Sequence, residues 1–155
     1  MVIREACIND LPGVFAMGQA LRQESLWGQI PIEPNEAYAH AQLITILYNP
    51  NERLIVAVDN NKLVGFAGAL MITHRFMPTA LVMQEWALYL MPRYRGIGYG
   101  KELWNDLVRW AHDHGAYGAV YGKMRGMADG RVKEELIWRL FDRAPATISQ
   151  GVHDE

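Results

Sequence analysis

Gly96, Gly98 and Gly100 alternate with Ile97 and Tyr99, and Arg93 and Arg95 stand just ahead of them. Alternation of this kind removes every second side chain and leaves successive backbone N–H groups uncovered. Where a helix begins at such a run, its dipole adds positive potential at the same place, and an anion site results. The two arginines can add charge and bidentate hydrogen bonds to a phosphate. The chemistry indicated is the binding of a phosphorylated cofactor.

A loop of this kind needs an element on each side to hold it. Ala80 to Met91 is a run of apolar and aromatic residues broken by Gln84 and Glu85, long enough for a buried strand, and Pro92 ends it. After the loop, Leu103, Trp104, Leu107, Val108, Trp110 and Ala111 recur at helical spacing, with Lys101, Glu102, Asn105, Asp106, Arg109 and Asp113 on the other face and Gly115 as the stop. The order is strand, glycine loop, helix.

Upstream, Val2 to Ile8 reads as a strand, and Asn9-Asp10-Leu11-Pro12 opens a helix whose inner face is Leu11, Val14, Phe15 and Leu21. Gly28, Pro31 and Pro34 make Ser25 to Pro34 an irregular loop, one that carries Leu26, Trp27 and Ile30 and so covers something. Asn35 caps a second helix through Tyr48, with Ala37, Tyr38, Ala41, Ile44 and Tyr48 along one side and Asn49-Pro50 as its stop. Arg53 to Val58 and Leu63 to Thr73 form a hairpin about Asp59-Asn60-Asn61-Lys62, and His74 to Pro78 turns the chain into the run at Ala80, completing an antiparallel meander. Beyond the glycine-loop helix, Tyr117 to Lys123 is a strand, Gly126 to Gly130 a flexible connection, and Val132 to Asp142 a helix with Val132, Leu136, Ile137 and Leu140 inward. The tail from Ala144 is short and adds at most an edge strand.

The chain has 155 residues, half of them hydrophobic, and a formal charge of −2. That is the size of one domain with its own core, spanning residues 1–155, without repeats or linkers. No basic run offers affinity for nucleic acid or an anionic membrane surface. Cys7 is the single cysteine, has no internal disulfide partner, and reads as a small buried hydrophobe in a reducing compartment. Arg4, Glu5, Asn9 and Asp10 stand where a signal peptide needs an apolar core, and no stretch approaches the ~18 apolar residues of a membrane span. The expectation is a cytoplasmic protein. His112 and His114 fall on different helix faces, so no metal site is expected there. His74 reads as a turn residue, Trp104 and Trp110 as core, and Met71, Met77 and Met83 as packing fillers.

A nucleotide-triphosphate loop needs four residues between its first glycine and Gly-Lys, followed by Ser or Thr; here there are three, and Glu102 follows. A dinucleotide fingerprint is spaced Gly-x-Gly-x-x-Gly after the first strand of a strand-helix-strand unit, whereas this loop follows a meander. A tight turn without a ligand stays open as a third reading. Arg95, Gly98 and Gly100, within the longer pattern Leu88-Tyr-Leu90 and Met91-Pro-Arg-Tyr-Arg-Gly-Ile-Gly-Tyr-Gly100, resemble the signature of the GNAT superfamily of acyl-coenzyme A-dependent N-acetyltransferases. The order of elements from Val2 to Asp142 is similar to that fold as well, and Glu85-Trp86 ahead of Leu88 looks most like its small phage-type members. The resemblance implies an α+β, three-layer fold with a mixed, mainly antiparallel twisted sheet of about six or seven strands flanked by about four helices.

It also implies a division of labour. The pantetheine arm of acetyl-CoA would pair with the main chain of Leu88, Tyr89 and Leu90, and the pyrophosphate would sit on the N–H groups of Arg95, Gly96, Ile97, Gly98, Tyr99 and Gly100, with Arg93 and Arg95 beside it. Transfer to an amine requires a proton acceptor. Glu85, a carboxylate inside an apolar strand, is the expected base, because desolvation raises its pKa. A backbone N–H near Leu88 would hold the oxyanion. The phenol that protonates the leaving thiolate in that family lies on the last helix, and aligning Ile137-Trp-Arg-Leu-Phe141 with it puts Trp138 in its place, leaving Tyr117, Tyr121 or water as donor. Two readings follow: transfer of acetyl to a primary amine in a ternary complex, or a coenzyme A-binding regulatory module without turnover. The acceptor would be set by Ser25 to Asn35 and the tail, and the shortness of that tail predicts a homodimer that completes the sheet or cleft.

Overall fold

The computed structural model describes residues 1–126 and 132–142. Its elements run β1 (Val2–Glu5), α1 (Leu11–Glu24), α2 (Glu36–Tyr48), β2 (Glu52–Asp59), β3 (Lys62–Thr73), β4 (Leu81–Leu90), α3 (Tyr99–Asp113), β5 (Ala116–Gly126) and β6 (Val132–Leu140). The six strands form one sheet in sequence order, antiparallel at every step except between β4 and β5. A mixed, mainly antiparallel α+β fold was expected, and this is one.

Alternation along the strands divides the core in two. Leu54, Val56, Phe66, Ala87 and Tyr89 pack against Leu11, Val14 and Met17 of α1 and Leu43 of α2. Ile55, Ala57, Ala67, Met83 and Leu90 face the other way, onto Leu103, Leu107 and Ala111 of α3. Burying both faces of β2 and β3 explains why those strands read as continuous apolar runs. The β2–β3 turn uses Asn60 and Asn61 at φ 49° and 60°, as asparagine permits. α1 starts where Asp10 accepts the Cys7 N–H at 2.8 Å and pairs with both terminal nitrogens of Arg4 at 2.6 and 3.0 Å, a bidentate contact that holds its carboxyl down at about 2.

Three expectations are corrected. The segment read as a final helix is strand β6, paired with β5 from Gly118↔Leu140 to Gly126↔Val132. Its apolar residues fit both periods, Val132, Leu136, Ile137 and Leu140 at helical spacing and Leu136, Trp138 and Leu140 at alternation. β5 has free backbone groups on its outer side, and satisfying them settles the choice. The apolar side read along α2 is not the side it buries: Leu43 is buried and only Ile44 of that side packs against the core, whereas Tyr38 is 66 % and Tyr48 73 % exposed. This helix is apolar almost all round, so its stripe does not mark the core side. Cys7 is exposed rather than buried.

The other expected elements are present, α2 with its Asn35 cap included, where the Asn35 side chain accepts the Tyr38 N–H at 2.9 Å. Ser25 caps a short turn at Leu26–Gln29 within the expected loop. The connection expected beyond Gly126 and the tail from Ala144 lie outside the described residues.

Candidate functional site

β4 carries the site because it is irregular. In its register with β3, Gly68 faces Ala87 and Ala69 faces Glu85, so Trp86 is an extra residue, a bulge. Strict alternation would send Glu85 and Leu88 to opposite faces. The bulge brings both to the α3 face and sends Trp86 and Ala87 to the face of α1 and α2. Gly68 makes it possible: a Cβ there would lie 2.1 Å from the Trp86 ring, so only glycine leaves room for the indole.

Past the bulge, β4 loses its second neighbour. Its parallel pairing with β5 is Leu81↔Ala116, Met83↔Ala119 and Gln84↔Val120, and from Glu85 to Leu90 it pairs with β3 alone among the described residues. A gap opens between the two parallel strands. Glu85, Leu88, Trp104 of α3, Tyr121 and Gly122 of β5 and Arg139 of β6 line a cleft of about 430 Å³ there. The Gly122 N–H reaches the Glu85 carboxylate at 3.4 Å. Burial pushes the Glu85 carboxyl up to about 7; the Gly122 N–H works against this and neighbouring Glu134 adds to it. A carboxyl poised there exchanges protons near neutrality.

Tyr121 is the first β5 residue beyond the last β4–β5 pair, half-buried, with its ring edge-on to Trp104 at 4.9 Å between centroids. Its hydroxyl has no hydrogen-bond partner among the described residues. Tyr117 lies outside the cleft and is 50 % exposed. Trp138 pairs with Val120 on a strand and is 64 % exposed, so a comparison with a phenol on a last helix no longer applies to it. Trp104, read as core, is half-buried and forms a cleft wall. Gly122 and Arg139 were not singled out in the sequence, since the β4–β5 pairing is what brings Gly122 to Glu85 and the β5–β6 register is what sets Arg139 at the cleft.

At the far end of β4 the glycine loop leads into α3. Gly96 and Gly98 have φ of 79° and 97°, which side chains rarely tolerate, and a Cβ at either would meet nothing within 4 Å. The concavity is therefore open. The Glu102 N–H is the first in α3 to bond back, to Gly98 at 3.1 Å, and the N–H groups of Gly96 to Lys101 donate to no carbonyl among the described residues. These fit a pyrophosphate. The Arg95 N–H is taken by the Pro92 carbonyl at 3.2 Å. Its guanidinium binds the Leu90 carbonyl and the Glu24 carboxylate, each at 2.8 Å, and lies over the Tyr89 ring, so it ties the loop to β4 and α1. Arg93 is exposed over Tyr94. Ile97 is exposed, Tyr99 stacks on Tyr94, and Tyr89 and Leu90 are buried with their side chains in opposite layers of the core.

Residues 19–123 match the family model described as "Acetyltransferase (GNAT) family". No curated protein matches the chain. Among solved structures, a predicted acetyltransferase from Clostridium acetobutylicum with acetyl-CoA is similar at a TM-score of 0.64 and 20% identity, covering 84% of this chain and 83% of that one. A ribosomal-protein-alanine N-acetyltransferase from Brucella melitensis gives 0.69 and 16%, covering 91% and 100%. An aminoglycoside 6'-N-acetyltransferase from Acinetobacter haemolyticus gives 0.63 and 15%, covering 77% of each. At these identities the structures speak for the fold, which with the matched residues and the open glycine loop leads to one conclusion: the chain belongs to the GNAT family of acetyltransferases, with acetyl-CoA as its cofactor.

Proposed function

We propose that this chain transfers the acetyl group of acetyl-CoA to a primary amine by direct attack in a ternary complex. The observation that carries the reading is the parting of β4 from β5 beyond Gln84, with Glu85 on one side of the gap and Tyr121 on the other. Bound there, the thioester supplies an activated acetyl group. The N–H groups of Gly96 to Lys101 hold the pyrophosphate, the main chain of Leu88 to Leu90 orients the arm, and an N–H near Leu88 donates to the oxyanion.

Glu85 accepts the proton that the amine sheds as its nitrogen bonds to the carbonyl carbon. When the carbon–sulfur bond breaks, Tyr121 donates its phenolic proton to the sulfur and recovers one from solvent. Both groups sit half-buried where the gap begins.

Calorimetry with acetyl-CoA tests the first half: heat at micromolar concentrations is expected, and its absence rejects the reading. Release of free thiol on addition of amines tests the second. Binding without thiol release across a broad amine panel would leave a coenzyme A-binding module in its place.

A further inference from the structure

On the sheet face opposite the Glu85 cleft, a second cavity of about 420 Å³ lies between α1, α2 and β4. Its walls include the rings of Phe15, Trp27, Phe66 and Trp86. Among the described residues Arg22 is the only charged one lining it, and its guanidinium is engaged by the carbonyls of Ile30 and Ile32 at 3.1 and 2.7 Å. Ser25 is also engaged, donating to the Arg22 carbonyl and accepting from the Trp27 N–H. Apart from the amides of Gln19 and Gln42, what the space offers a ligand is aromatic and aliphatic surface, with no carboxylate among the described residues to attract a second cation.

Gly18 shows that the space is kept open. It lies within α1 and lines the cavity, and a Cβ placed on it would meet nothing within 4 Å. No close approach and no positive φ calls for glycine here, unlike Gly68 under Trp86 or Gly98 in the loop. A glycine inside a helix is less stable than alanine, so the packing of α1 alone does not account for it. Its effect is to leave volume beside Trp86.

That volume adjoins the proposed chemistry. The bulge that turns Glu85 to one face turns the next residues, Trp86 and Ala87, into this cavity, and both lie on the stretch of β4 that β5 does not pair. We propose that the cavity holds the apolar group of the acceptor, an aromatic or branched aliphatic amine, whose nitrogen reaches Glu85 through the gap. The proposal deepens the transferase reading and rests on it.

Two variants fill the space from opposite sides, Gly18→Leu from α1 and Ala39→Leu from α2, so that the test survives if one fails to fold. The probes are 2-phenylethylamine and, as a polar control, putrescine, titrated calorimetrically into protein saturated with coenzyme A. The expected result is that 2-phenylethylamine binds the native protein and each folded variant loses affinity by about tenfold or more. Acetyl-CoA affinity stays unchanged, and putrescine binds more weakly than 2-phenylethylamine. Unchanged 2-phenylethylamine affinity in a folded variant, or equal affinity for putrescine, overturns the proposal.

Because this readout does not need turnover, the two readings fail separately. Binding of 2-phenylethylamine that Gly18→Leu removes, with no acetylated product, supports the pocket and rejects transfer. Acetylation of 2-phenylethylamine with a kcat/KM indifferent to both variants rejects the pocket and supports transfer.

Discussion

At the scale of single residues, the proposed transfer has Glu85 accept a proton and Tyr121 donate one. Glu85 must be ionised to accept, and burial holds it at about 7, so kcat/KM for a good amine should rise with pH through that value before levelling. Glu85→Gln keeps the size and removes the base; a loss on the order of 10²–10⁴-fold is expected, with the pH-dependent limb flattened. A pH–rate profile of both proteins checks it, and an unchanged profile assigns the proton to another group. Tyr121→Phe keeps the edge contact with Trp104 and removes the hydroxyl. It should lower kcat by roughly tenfold or more with acetyl-CoA affinity intact, which single-turnover thiol release measures.

At the scale of elements, the loop before α3 and the bulge in β4 matter most. Gly98 sits at φ 97° with open space where a side chain would go. Gly98→Val therefore adds strain of about 1–2 kcal/mol and fills the space over the N–H groups. The domain should remain folded by circular dichroism while calorimetry shows loss of acetyl-CoA binding; native affinity would reject the placement of the pyrophosphate. The loop was legible in the sequence because its donors and its positive-φ positions come from contiguous residues. The bulge was not, since it exists only in the register of β4 against β3 and leaves no local mark beyond Gly68 and Trp86. β6 shows the same limit: its apolar residues satisfy two periods, and the need of β5 for backbone partners decides between them. For α2 the sequence located the helix and its cap but not its inner face, because apolar residues nearly encircle it.

For the whole molecule, Glu85 links the site to stability. Its carboxyl has a folded-state pKa of about 7 against an ordinary 4.5, so the folded state holds the proton more tightly than the unfolded chain does. Its contribution is fully present below pH 4.5 and is lost as pH rises through about 7, at a cost on the order of 3 kcal/mol. Thermal melts should fall across that window in the native protein, and Glu85→Gln should fall less; parallel curves would place the carboxyl in water. Among the described residues no helix is long and apolar enough to cross a membrane. The sequence by itself determined the glycine loop, the strand before it and the helix after it, and with them the expectation of a phosphorylated cofactor, because adjacent residues supply the uncovered N–H groups and the positive-φ positions. Only the tertiary structure decided which side chains share the cleft. Glu85, Trp104, Tyr121 and Arg139 meet through a bulge, a strand parting and a hairpin register, and each of these depends on backbone pairing between segments distant in the chain.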